Sequence, residues 1–493
     1  TVMKKLTLLL LAAMLIATFA ACGGTEGAAS VTTTAASDTE VTEVTTEAEI
    51  LPELPEADYE GADFTILTAG NWSIEWTEID EFFAEDETGE PVNDAVYRRN
   101  RLVEDQFNVS IVEINKMGNS IGGTNKGMQF IITSVLAGDS AYDASHMGAY
   151  DVSTLAYQGY IRDLNEVPYI DLTKPWWDQK ANEDLEMRGR MYYSTGDIAT
   201  LDNDCTFCIL FNKKLIEDYE FDNPYELVRD SGWTIDKMVE MATSISQDLN
   251  GDGIHDENDL YGFCIWQDSM MGIIHASEEK FCSINNDGDL VLTLNTEKSL
   301  NAFEKYIKLA YDRNVAYSIY HSKDAIETMF ANDQVLLYTR YLCIIKKYRN
   351  MDTDFGLLPY PKYSETQDKY FSTIAPYGCS FICVPMVVKN EEMSGAVLES
   401  MAYESVDTVT AAYYDITLEG KMMRDEESSA MLDIILGNRV FDLGLFYQVG
   451  TYNERIMDLF RQNNKDFTSM YAKHEASALA KLDEINAAFE AVS

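Results

Sequence analysis

The chain has 493 residues, 46% hydrophobic and 11% aromatic, so it is long enough for more than one domain and too apolar to be disordered throughout. Its 37 Lys and Arg stand against 83 Asp and Glu, a formal net charge of -46. So acidic a surface repels phosphate backbones and anionic headgroups, which excludes nucleic acid as a partner and favours a neutral or locally compensated ligand.

From Met3 the sequence reads as a secretion signal: Lys4 and Lys5, then an apolar run from Leu6 to Ala21 interrupted by Thr7 and Thr18. The run falls short of the ~20 residues that a membrane-spanning helix needs. It ends in Phe19-Ala20-Ala21-Cys22 with Gly23 behind, which resembles a bacterial lipobox. Residues 1–21 are therefore expected to be removed and Cys22 to carry the lipid. Residues 22–58 are rich in Thr, Ala, Glu and Ser and carry no helical or alternating period. They offer too little apolar surface to offset the entropy of ordering. They read as a tether that holds a folded body near the membrane, on its extracytoplasmic face.

From Tyr59 the composition becomes globular. Phe64-Thr65-Ile66-Leu67 predicts a strand closed by Ala69-Gly70, and Asn93-Asp94 predicts the cap of a helix whose Val92, Val96, Val103 and Phe107 share one face. Val109 to Ile114 predicts a second strand, Gly127 to Leu136 a helix, and Tyr142 to His146 a third strand. Further on, Thr234 predicts the cap of a helix carrying Ile235, Met238, Val239, Ala242 and Ile245, with a strand from Tyr261 to Trp266 after it. Helical stripes recur at Leu300, Phe303, Ile307 and Ala310, and at Leu479, Leu482, Ile485 and Phe489. Strands alternating with helices predict an α/β fold with mostly parallel sheets, in two lobes because the body exceeds one comfortable core.

Several strings along this body resemble one family. They are Leu136-Ala137-Gly138-Asp139-Ser140-Ala141-Tyr142-Asp143, Tyr160-Ile161-Arg162-Asp163-Leu164-Asn165, Leu210-Phe211-Asn212-Lys213-Lys214, Gly232-Trp233-Thr234, Phe355-Gly356-Leu357-Leu358-Pro359-Tyr360-Pro361 and Phe381-Ile382-Cys383-Val384-Pro385. With the lipobox, their order and spacing resemble the extracellular solute-binding proteins of bacterial ABC importers, in particular the large lipoproteins of carbohydrate uptake. The resemblance implies a two-lobed periplasmic-binding-protein-like fold with a ligand cleft between lobes that close on the solute. It divides the body into a first part of lobe 1 (59–205), a first part of lobe 2 (206–376) and a returning segment (377–493) that contributes to both. It also implies a monomer without catalysis that delivers its solute, an oligosaccharide in the first instance, to permease and ATPase chains. A peptide or other small solute stays open, as do a surface glycan-binding lipoprotein that does not transport and an extracellular glycoside hydrolase.

In open α/β sheets, ligands bind beyond the carboxyl ends of strands. The segments to watch are then Asn71-Trp72 to Trp76 after the first strand, and Gly148-Ala149-Tyr150-Asp151 after the third. In the second lobe they are Trp266-Gln267-Asp268 and Arg340-Tyr341, the latter after a strand at Val335 to Tyr338; the resemblance implies that Tyr377 sits at the second lobe crossing. These residue types suit a sugar, whose C–H face stacks on aromatic rings while Asp, Asn, Gln and Arg hydrogen-bond its hydroxyls. Trp176 and Trp177, after Pro175, read instead as core.

Asp248-Leu249-Asn250-Gly251-Asp252-Gly253-Ile254-His255-Asp256-Glu257-Asn258-Asp259 has the spacing of a calcium loop. Oxygen side chains from Asp248, Asn250, Asp252, Asp256 and Asp259 fall at positions 1, 3, 5, 9 and 12, Gly253 at the turn position 6, and the Ile254 carbonyl at 7. It resembles dockerin and EF-hand loops, except that position 12 is Asp rather than the longer Glu. A structural calcium ion of modest affinity is expected.

Beyond Cys22, seven cysteines remain, an odd number without zinc spacing, and buried thiols are expected. Gly118-Asn119-Ser120-Ile121-Gly122 matches GxSxG, yet Asn115-Lys116-Met117 separates it from its strand, where a nucleophile elbow would follow directly. No histidine has a convincing catalytic partner in sequence.

Overall fold

The computed structural model describes residues 50–70, 80–117, 127–318, 323–418 and 426–491. The signal segment, Cys22, most of the tether and the GxSxG string lie outside them.

The first sheet opens with β1 (Ala62–Ala69) and β2 (Val109–Asn115), parallel neighbours joined through the Pro91–Phe107 helix. That helix begins one turn ahead of the expected Asn93-Asp94 cap. Pro91 stands at its first turn, where no amide partner is needed, and the Glu90 carboxylate accepts the Asn93 amide at 2.8 Å. Asp94 instead accepts the amides of Thr88 and Gly89, which fixes the preceding turn. Val92, Val96, Val103 and Phe107 are all buried, as their shared face predicts. The Met128–Ala137 helix then leads to β3 (Ala144–Gly148), parallel to β1 on its other side.

The second sheet gathers β4 (Phe207–Asn212), β5 (Tyr261–Ile265), β8 (Ala316–Ser318), β9 (Val335–Tyr341) and β10 (Phe355–Leu358) in the order β10-β4-β9-β5-β8. A hairpin of β6 (Cys282–Ile284) and β7 (Leu290–Leu292) lies apart. After β11 (Ser372–Thr373) the chain returns to the first sheet as β12 (Ser380–Cys383), completing the order β12-β3-β1-β2. β13 (Arg439–Val440) comes back to pair with β11.

Both sheets are mixed. β1 pairs in parallel with β2 and β3, and β5 with β8 and β9, as crossover helices require. The antiparallel partners are β12 on β3, and β4 between β9 and β10. β4 and β12 follow the two passages between sheets, which run side by side: Thr206 bridges Ile374, and the Ala375 amide donates to the Cys205 carbonyl at 2.9 Å. His275, buried on the Ser269–Ala276 helix, fastens this junction. Its Nδ1 lies 2.7 Å from Thr373 Oγ1 and its Nε2 3.0 Å from Asp442 Oδ2, so one ring holds β11 and the segment after β13.

The last part of the chain returns to both sheets. Ser394, on the Glu391–Ser405 helix, donates to the carbonyl of Asp143 beside β3, while Leu432, Ile435 and Leu436 join the core under β10. The terminal Phe467–Glu490 helix buries Leu482, Ile485 and Phe489 of its predicted stripe, but Leu479 is exposed and Ala478 takes its place. No helix of the described residues is long and apolar enough to cross a membrane. The seven cysteines from Cys205 to Cys383 are all buried and form no disulfide.

Candidate functional site

β3 passes into the Ala149–Tyr157 helix with no loop between them, because Gly148 is still extended (φ -55°, ψ 144°) and Ala149 is already helical. Tyr150 and Asp151 therefore lie in a first helical turn. Asp151 is fully buried and accepts the Met128 amide at 3.1 Å, capping a neighbouring helix whose own cap position, Gly127, has no side chain. Its carboxylate serves the scaffold. Tyr150 accepts a hydrogen bond from Asn453 Nδ2 at 2.8 Å, and burial, then the Glu454 and Asp268 carboxylates, push its phenol well above the usual tyrosine range. Tyr150 follows a strand of the first sheet and Asp268 one of the second, and the charge of the one reaches the phenol of the other.

Asp268 organises the other side. Its Oδ2 accepts the Trp266 indole N–H at 2.8 Å and the Tyr341 hydroxyl at 2.8 Å. The Tyr341 hydroxyl also meets that of Tyr377, from the passage between sheets. Burial raises the phenols of Tyr341 and Tyr377 well above their ordinary value, and the Asp268 charge adds to this. β9 runs through Arg340 and Tyr341 rather than stopping at Tyr338, because these two residues pair with Cys208 and Phe207 of β4. Arg340 lies with its guanidinium 4.0 Å from the Trp266 ring centroid and 4.8 Å from that of Tyr341. Cation–π contacts of this kind contribute about 0.5–2 kcal/mol as they lose water. The guanidinium thus covers one face of the indole.

A third wall comes from residues that the sequence reasoning did not single out. Gln448, Gly450 and Thr451 all have positive φ (52°, 60° and 50°), and this tight turn launches the Tyr452–Arg461 helix. It delivers Asn453 to Tyr150, while the Glu454 carboxyl is raised by desolvation and then, despite Arg461, by the Asp268 charge. Arg461 Nε donates to Gln267 Oε1 at 3.3 Å. The sequence signal, Val449-Gly450-Thr451 before an amphipathic run, marks the turn but not its destination. Backbone strain of this kind collects at functional sites. Of the expected ligand residues, Tyr150, Trp266, Gln267, Asp268, Arg340, Tyr341 and Tyr377 are therefore linked by contacts or charge, Asp151 is turned to the scaffold, and Asn71, Trp72 and Trp76 lie outside the described residues.

In the acidic loop, Gly251 and Gly253 take positive φ (74° and 76°), and Asp248 accepts their amides at 2.6 and 2.8 Å. The Gly253 amide holds the Asp248 carboxyl below its usual range. Asn250, Asp252, Asp256 and Asp259 likewise accept amides of the loop itself. The donors are all oxygen, which suits a hard cation. Among the described residues, however, no three His, Cys, Asp or Glu side chains are grouped as a metal centre.

No family model matches the sequence, and no curated protein matches it. Solved structures do. The galacto-N-biose/lacto-N-biose I-binding protein of the ABC transporter from Bifidobacterium longum, in complex with lacto-N-biose, is similar with a TM-score of 0.56 at 12% identity, over 87% of this chain and 98% of that one. The maltose/maltodextrin-binding domain from Bdellovibrio bacteriovorus, bound to maltotriose, gives 0.54 at 15% identity over 86% and 100%. An ABC substrate-binding protein from Listeria monocytogenes, in complex with cycloalternan, gives 0.53 at 13% identity over 87% and 99%. The fold is thus that of the two-lobed, periplasmic-binding-protein-like sugar-binding proteins of ABC transporters.

Proposed function

We propose that this chain captures an oligosaccharide between its two sheets and presents it, without catalysis, to a membrane ABC permease. One observation carries the reading: Asp268, beyond β5 of the second sheet, holds Trp266 and Tyr341 through its carboxylate, and its charge reaches Tyr150, beyond β3 of the first. A ligand touching both walls favours the closed arrangement of the lobes, and the permease reads that shift in population. Trp266 and the tyrosines offer apolar faces to the sugar rings, and Asp268 and Gln267 offer acceptors to their hydroxyls. Acylation at Cys22 would hold the protein, as a monomer, on the extracytoplasmic face of the membrane.

The test is a thermal-unfolding screen of the compact unit Leu51–Ser493 against oligosaccharides, peptides and polyols. An oligosaccharide at a hundred times its Kd should add about 2.7 kcal/mol of stability and be recovered chemically intact. Stabilisation by peptides alone would replace the ligand class, and a cleaved sugar would make the protein a hydrolase. The same screen addresses calcium, which we propose for the loop from Asp248 to Asp259, where an ion would exchange amide hydrogen bonds for ligation. Chelation should then lower the unfolding midpoint, and Asp248→Ala should abolish that response; an unchanged midpoint removes the ion.

A further inference from the structure

Arg340 is the unexplained group of the site. It is 3% exposed, its Nε is buried with no hydrogen-bond partner, and among the described residues no carboxylate lies in ion-pair range of its guanidinium. The five N–H donors of an arginine remain charged at any accessible pH, and a buried guanidinium left with aromatic rings alone is a costly arrangement. Asp268, the nearest acid by its influence, is engaged on Oδ2 by the Trp266 indole and the Tyr341 phenol. The Nε of Arg439 also lacks a partner, but the other buried guanidiniums do meet acceptors: Arg99 donates to the carbonyls of Ile198 and Glu81, and Arg439 to Asp178 and Asp202. Among the described residues, the buried guanidiniums elsewhere are thus answered by carbonyls or carboxylates, and this one is not.

We infer that Arg340 is the anchor for a carboxylate on the ligand, so that the captured solute is a uronate-bearing oligosaccharide; this rests on the capture reading above. Sugar hydroxyls would satisfy the N–H groups but not the buried positive charge, whereas a carboxylate satisfies both through two parallel hydrogen bonds from the planar fork. Trp266 and Tyr341 flank the guanidinium and hold it in place, which limits the entropy lost on binding. The net charge of -46 repels an anion from afar, but salt screens that field beyond about 8 Å, and close to the site the unmatched cation dominates. Asp268 and Gln267 remain for hydroxyls. Arg340 is then a specificity residue: it decides which sugars enter.

Isothermal titration calorimetry on the whole chain tests this with trimers of galacturonate, glucuronate and mannuronate, the neutral trimers of galactose, glucose and mannose, and a sulfated trimer. At least one uronate trimer should bind a hundredfold or more tighter than its neutral counterpart. Arg340→Gln should lose that preference, and Arg340→Lys, which keeps the charge but not the fork, should lose about tenfold of it. The ligand-free Arg340→Met variant should unfold at the same or a higher temperature than the parent, because a short-changed charge has been removed. A lower midpoint would make Arg340 a structural cation and overturn the inference, as would preference for the sulfated trimer. Binding of neutral trimers without any uronate preference sinks this inference and leaves capture standing; binding of none of the sugars removes both.

Discussion

Two tryptophan–carboxylate clusters in this molecule have the same chemistry and opposite outcomes. In the first sheet's lobe, Trp176 and Trp177 donate their indole N–H groups to the two oxygens of Glu399 at 3.0 and 2.8 Å, and the Asp171 amide adds a third bond at 3.2 Å. All three side chains are buried and every donor is answered. At the meeting of the sheets, Trp266 donates to Asp268 in the same way, but the cluster also holds Arg340, whose buried Nε has no hydrogen-bond partner. Residue type does not separate scaffold from site here, since both contain Trp and an acid. What separates them is whether the hydrogen bonding is complete.

The sharpest way to break this comparison is Glu399→Ala. It leaves two indole donors and an amide buried without acceptors, which should cost about 3–5 kcal/mol of stability, measured by chemical denaturation, with little change in ligand affinity among folded molecules. Its mirror is Trp266→Ala, which should weaken ligand binding by about 2–3 kcal/mol in calorimetry and move the unfolding midpoint far less, because Trp266 is only half-buried. If Trp266→Ala proved the more destabilising of the two, the distinction would fail. A third arm uses pH. Burial pushes the Glu399 carboxyl up to about 7, although the indoles of Trp177 and Trp176 and the Asp171 amide pull it down. Between pH ~4.5 and ~7 the unfolded chain has released this proton while the folded chain keeps it, so stability falls as pH rises through that window. The contribution should be about 3 kcal/mol, and Glu399→Gln should remove it from the pH profile of unfolding.

Much of the scaffold was legible in sequence because local rules agree with the fold there. Thr234 does cap the Ile235–Thr243 helix, accepting the Lys237 amide, and Trp176 and Trp177 are core. The misreadings lie where distant partners decide. Arg340 and Tyr341 belong to β9 only because β4, more than a hundred residues earlier, pairs with them. Tyr150 and Asp151 read as a loop because a strand that turns into a helix within one residue leaves no composition signal. Leu479 is exposed because neighbouring elements set the phase of the last helix, and sequence gives its period alone. Trp266, Asp268, Arg340, Tyr341 and Tyr377 were visible as residue types at strand ends and a crossing, but Asn453, Glu454 and Arg461 were not, since only the turn at Gln448–Thr451 carries them there.

The smallest effect we expect is also the most specific to the site. Tyr377 comes from the passage between sheets, and its hydroxyl meets that of Tyr341, which is itself bonded to Asp268. Tyr377→Phe removes one oxygen from this chain while Tyr341 keeps its bond to Asp268, so no buried donor is stranded and stability should change by less than ~1 kcal/mol. Ligand affinity should nonetheless fall by about 1 kcal/mol, roughly fivefold, because the hydroxyl that ties the crossing to the binding wall is gone. The equivalent change in the complete cluster, Trp177→Phe, takes one of three donors from a buried carboxylate and should register in stability and not in affinity. Equal affinity losses from the two variants would mean that ligand closure is felt throughout the first lobe rather than at the crossing, and the division between answered and unanswered clusters would have to be redrawn around the whole junction.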